Sequence, residues 1–98
     1  MKFIVKIHQG PHGVVLVVSD QEILGKKFVE GKVQLDLTKE FYQGEVMEAD
    51  QVKEKSKSAY ILHLTGENSI NLFSDLIDKD KILIVQKIPH AEAYLAEN

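Results

Sequence analysis

Hydrophobic and polar positions alternate from the start of the chain. Phe3, Val5 and Ile7 fall on one side of an extended segment, with Lys2, Lys6 and His8 largely on the other. That is the period-two pattern of a strand with one buried face. Gln9-Gly10-Pro11-His12-Gly13 is dense in turn formers, and Val14 to Val18 is apolar throughout, as strands covered on both faces are. The two segments predict an antiparallel hairpin closed by a five-residue loop. Ser19 and Asp20 offer an N-cap for a short helical turn through Glu22, Ile23 and Leu24, stopped by Gly25. Residues 26–31 suit either a turn or a helix. Alternation returns at Val33, Leu35 and Leu37, which predicts a third, half-exposed strand.

Thr38 can cap a short turn through Tyr42 that ends near Gly44. Residues 48–58 carry Asp50 near the start and lysines 53, 55 and 57 toward the end, the charge order a helix dipole favours. The apolar face of this helix (Met47, Val52, Ala59) is thin. Tyr60, Leu62 and Leu64 alternate with Ile61 and His63 and predict a strand, continuation of the preceding helix being the rival. Thr65 is a candidate N-cap for a helix over 67–77, with Ile70, Leu72, Phe73, Leu76 and Ile77 inward at helical spacing. Asp78-Lys79-Asp80 breaks that helix, and Ile82 to Ile88 reads as another buried strand. Pro89-His90 ends the strand, and the tail from Ala91 pairs at an edge or frays. Residues 59–88 therefore read as a β-α-β unit, right-handed if its strands are parallel. The expected fold is α+β, one globular domain over residues 1–98. Its small sheet of four to five strands combines an N-terminal antiparallel hairpin with the C-terminal β-α-β unit, covered by one or two helices.

Composition narrows the function classes more than it selects one. With 98 residues, 44% apolar and 28% charged, the chain suits one domain with one core. The longest apolar run is short, and the N-terminus alternates rather than forming the apolar stretch of a signal peptide. A cytoplasmic protein without membrane association is expected. The absence of cysteine excludes disulfides, thiolate zinc sites and a cysteine nucleophile. All twelve basic residues are lysines, so the bidentate fork that reads guanine is missing. The net charge of −3 falls in the C-terminal part, since residues 58–98 hold three lysines and six acids. A globally basic footprint for nucleic acid is therefore lacking.

Several residue groups could carry chemistry. His8 and His12 flank a turn, but no nearby carboxylate completes a metal site, and two exposed hairpin histidines are the plainer reading. His63 reads as a core or half-buried histidine. His90 follows a proline at a strand end, a position where loop residues are held rigidly. Thr65-Gly66-Glu67 opens a helix, yet one glycine is no phosphate loop, and Glu67 would repel an anion. Lys26 and Lys27 beside Phe28 could touch a nucleic-acid backbone. Tyr42 could line a pocket or close one end of a core. No nucleophile elbow, zinc-protease helix or Walker loop is present, and no cofactor or metal is expected.

Taken in order, Gly25-Lys26-Lys27-Phe28 with Glu30-Gly31, Leu35-Asp36, Phe41-Tyr42-x-Gly44-Glu45, Gly66-Glu67 and Pro89-His90-Ala91 resemble a family of small archaeal proteins, domain of unknown function 424. The resemblance runs from about Val5 to Ala91. It implies a cytoplasmic archaeal protein of one-domain size and brings no activity with it. The family's recurring residues map to Lys26, Tyr42, Gly44, Gly66, Glu67, Pro89 and His90. His63 departs from the pattern, standing where a small polar amide is expected, which weighs against a role for that position.

Two readings follow. The first is a non-enzymatic binding or accessory module for RNA, a ribonucleoprotein or a protein partner, carried by Lys26 and Lys27 and by the missing catalytic motifs. The second is a small enzyme or ligand-binding protein using His90 with Glu67 and Tyr42, because a histidine–carboxylate pair within reach can move protons at neutral pH. Oligomeric state stays open, since a sheet edge in so small a domain invites pairing without demanding it.

Overall fold

The computed structural model describes residues 1–95. Strands β1 (Lys2–Gly10) and β2 (Gly13–Asp20) form an antiparallel hairpin in which Gly10 pairs with Gly13. The connection is thus a tight turn at Pro11-His12 rather than a five-residue loop. A 3₁₀ turn over Gln21–Ile23 leads into a separate two-stranded ribbon, β3 (Lys27–Glu30) and β4 (Val33–Asp36). A second 3₁₀ turn, Glu40–Tyr42, precedes the short strand β5 (Glu45–Glu48), which pairs antiparallel with β1.

Helix α1 (Ala49–Ser56) starts in a capping box, with Glu48 and Gln51 each closing the other's backbone. Strand β6 (Ala59–Thr65) follows and lies parallel to β2. Helix α2 is only Glu67–Leu72, and Leu76, expected inward, is exposed in a following 3₁₀ turn. Strands β7 (Leu83–Val85) and β8 (Ile88–Tyr94) then form a hairpin whose turn is Gln86-Lys87.

This architecture corrects the expected fold. The main sheet has six strands in the order β5-β1-β2-β6-β8-β7, and β3-β4 forms a second sheet. Strand β8 pairs antiparallel with β6, so residues 59–88 are not a β-α-β unit, and the parallel partner of β6 is β2. The segment from Ile82 to Ile88 is not one strand, because Gln86 and Lys87 take left-handed backbone angles (φ 49° and 69°) that reverse the chain. Pro89-His90 lies within β8, and Ala91–Tyr94 pairs with β6 instead of fraying.

Side-chain alternation sorts residues onto the sheet's two faces. One face carries Phe3, Val5, Leu16, Val18, Leu62, Leu64, Ala91 and Ala93, and it packs against Val52 of α1, Ile70 of α2 and Phe73 at the end of α2. The opposite face presents Val17, Ser19, His63, Thr65, His90 and Glu92. Beside it sits a smaller cluster of Ile23, Leu35, Leu37 and Val85, with Phe28, Tyr42 and Ile88 against it. That cluster seats the β3-β4 ribbon. Gln86 N–H donates to Glu30 Oε1 (2.6 Å), and Val29 N–H donates to Gln86 Oε1 (3.3 Å), tying ribbon to sheet. Among the described residues no helix is long and apolar enough to cross a membrane.

Candidate histidine site

The pairing registers assemble the candidate site on the face away from the helices. His63 stands opposite Glu92, and Thr65 opposite His90, across β6 and β8. Period two then brings the polar pairs 63/65 and 90/92 onto one face of two neighbouring strands. The rings of His63 and His90 meet with centroids 4.4 Å apart, and His63 Nε2 lies 3.5 Å from Glu92 Oε2. The Thr65 hydroxyl and His90 Nδ1 are hydrogen bonded at 2.8 Å. His63 Nδ1 is buried without a hydrogen-bond partner.

Aromatic side chains wall the cluster. Phe41 stacks on His8 (4.6 Å between centroids, 14° between planes) and meets His63 edge-on at 5.1 Å. Tyr42 approaches His63 at 6.1 Å, and His8 Nε2 is hydrogen bonded to the Phe41 carbonyl at 3.1 Å. Gly44 lets this turn lie flat on β1, since a Cβ there would overlap the Val5 carbonyl. A pocket of about 280 Å³ opens beside the cluster, lined by Lys81, Leu83, His90, Glu92 and Tyr94. A larger concavity of about 590 Å³ runs along α1 past Met47, Glu54 and Lys55.

Burial sets the protonation states. Desolvation, with His90 and His8 beside it, pushes His63 down to about 4. His90 is also lowered by burial, against a smaller upward pull from the Glu92 carboxylate. His63 is therefore neutral at pH 7, and its approach to Glu92 is that of an uncharged imidazole, not a salt bridge. Tyr42 is raised by burial, with the Asp36 carboxylate adding to the effect. Neutral imidazoles beside a carboxylate can ligate a metal or accept and relay a proton.

Of the residues singled out in the sequence, Tyr42 and His90 come together here, both against His63. Glu67 does not join them. It is exposed in the first turn of α2, which packs on the other face of the sheet, and among the described residues no hydrogen bond or ion pair links it to His90. The carboxylate beside His90 is Glu92. Lys26 and Lys27 are exposed at the base of the β3-β4 ribbon, with Lys27 opposite Asp36. His8 and His12 part company, His8 stacking on Phe41 and His12 tilting against Tyr60. The sequence reading set His63 aside, yet it is the centre of the cluster. Its signal was the recurrence of polar pairs two apart, 63/65 and 90/92, inside apolar strands.

Fold and site together define a mixed-sheet, β-rich domain with a histidine–carboxylate cluster on the face away from α1 and α2. The chain belongs to the family described as Protein of unknown function (DUF424), whose model matches residues 7–95, as the resemblance over Val5 to Ala91 implied. It is similar in fold to the crystal structure of an uncharacterized conserved protein from Methanopyrus kandleri, an archaeon. The TM-score is 0.77 at 24% sequence identity, covering 96% of this chain and 91% of the other. No curated protein matches the chain.

Proposed function

We propose that the protein is a ligand-binding module whose site is the His63–His90–Glu92 cluster with its Phe41 and Tyr42 wall. The observation that carries this reading is the contact of two half-buried imidazoles, 4.4 Å apart, at the edge of an open pocket. A bound molecule would engage the ring nitrogen that Thr65 leaves free on His90, the ring that lines the pocket. The test is histidine-ring NMR of the purified chain against inorganic phosphate, citrate and AMP. Shifts centred on His63 and His90 support the reading. Ligands that move only residues along α1, or none that move the rings, overturn it.

A second proposal keeps the accessory-module reading, in which RNA, a ribonucleoprotein or a protein partner docks through Lys26 and Lys27. Its support is that both side chains are exposed on one ribbon, while Glu30 and Asp36 on the same ribbon weaken the local positive charge. Salt-sensitive RNA binding that falls in a Lys26→Ala/Lys27→Ala variant supports it. No binding even at low salt retires the RNA form.

A further inference from the structure

We propose that His63, His90 and Glu92 bind one divalent transition-metal ion of the zinc class, leaving at least one coordination position open to the pocket. The inference rests on reading this cluster as a ligand site and names what the site takes.

Geometry comes first. One ligand atom from each of the three residues lies within 4.8 Å of the others. Metal–nitrogen and metal–carboxylate bonds of about 2.0–2.2 Å at tetrahedral angles put two ligand atoms roughly 3.3–3.5 Å apart. His63 Nε2 and Glu92 Oε2 already stand at 3.5 Å. The Glu92 side chain is 45% exposed, which leaves its carboxylate room to adjust toward both rings. The two imidazoles are held on adjacent strands of one sheet, the rigid kind of support a metal site needs.

Orientation is the second observation. The Thr65 hydroxyl engages Nδ1 of His90 at 2.8 Å, which leaves Nε2 as the free nitrogen of that ring. Ligating histidines characteristically have their other nitrogen hydrogen bonded, which fixes the ring and its tautomer. Thr65 is fully buried and belongs to the strand that carries His63, so it acts as a positioning residue.

The donor set selects the ion. Two imidazoles and one carboxylate suit zinc, cobalt, nickel or copper(II), whereas calcium and magnesium favour all-oxygen shells. Three protein ligands with an adjoining pocket are the pattern of an open site rather than a closed structural one. Lys81 lines that pocket. Its ammonium opposes the ion's charge across solvent and favours an anionic group in the open position.

The test uses the full chain after chelator treatment, in a non-coordinating buffer at pH 7.5. Zn²⁺ is titrated calorimetrically and Co²⁺ by visible absorption. The expected result is one ion per chain, with the strong absorption of low-coordinate cobalt. Affinity should fall at least tenfold in His90→Gln and in Glu92→Gln, and stay unchanged in His12→Gln. Circular dichroism of each metal-free variant separates lost ligation from lost folding. Binding that is equal in wild type and a His63→Gln/His90→Gln variant overturns the proposal, as does stoichiometric binding centred on His12. Phosphate, citrate or AMP shifting the His63 and His90 rings while neither metal binds would overturn the metal and keep the ligand site. Silence in both experiments sinks both.

Discussion

The Asp20 carboxylate accepts hydrogen bonds from both the backbone N–H and the hydroxyl of Ser69, at 2.8 and 2.7 Å, across 49 residues of sequence. Its other oxygen accepts from Asn68 N–H at 3.0 Å. Asp20 is 3% exposed. The residue at the end of β2 thus serves as a remote N-cap for α2, supplying the acceptor that Gly66, at the cap position, lacks. Gly66 is required for this. Its φ of 108° disfavours any side chain, and a Cβ would come within 2.6 Å of Asp20 Oδ2.

Asp20→Ala is expected to cost roughly 2–4 kcal/mol, because buried donors lose a charged acceptor. Gly66→Ala should cost at least as much in the wild type. In the Asp20→Ala background it should cost less, near the roughly 1–3 kcal/mol of backbone strain alone, since the colliding carboxylate is gone. Urea unfolding of the four proteins closes the cycle. Additive costs would count against the steric account.

Acid should weaken the metal-free fold through His63. The unfolded imidazole takes its proton near 6.5 and the folded one near about 4, so between these values the unfolded chain binds more protons. The stability His63 contributes is complete above pH 6.5 and is lost as pH falls toward 4. At about 1.4 kcal/mol per pH unit, a loss on the order of 3 kcal/mol is expected. The groups facing it are His8, His90, Glu92 and Tyr42. The measurement is the pH slope of unfolding free energy in wild type minus that in His63→Asn, and equal slopes would contradict the assignment.

Phe41 is the cover of the site. It stacks on His8 and sits edge-on to His63 while itself being 36% exposed. Phe41→Ala should cost little stability, about 1 kcal/mol, yet admit water to His63. The His63 midpoint, followed by NMR, should rise from about 4 toward 6.5. An unmoved midpoint would mean that the sheet, not the turn, buries the ring.

Thr65→Val separates orientation from packing. Loss of its hydroxyl should lower zinc affinity by roughly 10–100-fold through His90, in line with outer-shell substitutions elsewhere. If zinc affinity is unchanged while stability falls, Thr65 is structural only.

What the chain disclosed depended on local signals. The alternation of residues 3–7 and 60–64 and the apolar Val14–Val18 made β1, β6 and β2 readable, and the charge order of 48–58 announced α1. Strand β5 was missed because only Met47 of its four residues is buried. The β7-β8 hairpin was missed because Gln86 and Lys87 turn the chain without glycine, asparagine, aspartate or proline. The ties to Glu30 and Val29, from the distant ribbon, help hold that turn. Tyr42 and His90 were visible as candidates, but their meeting with His63 depends on the antiparallel register of β6 and β8. No local pattern carries that register, which is why Glu67 was set with His90 and Glu92 went unnoticed.

The parallel pairing of β2 with β6 sets how the chain must fold. Residues 21–58, which include the ribbon, β5 and α1, intervene between these two central strands. The β1-β2 hairpin can form quickly from near neighbours, but the sheet's midline waits for that long loop to close. Until it does, the apolar flank of β2 is an open edge beside which another chain can pair. Refolding yield should therefore fall with protein concentration, and the rate-limiting barrier should lie at the β2-β6 seam.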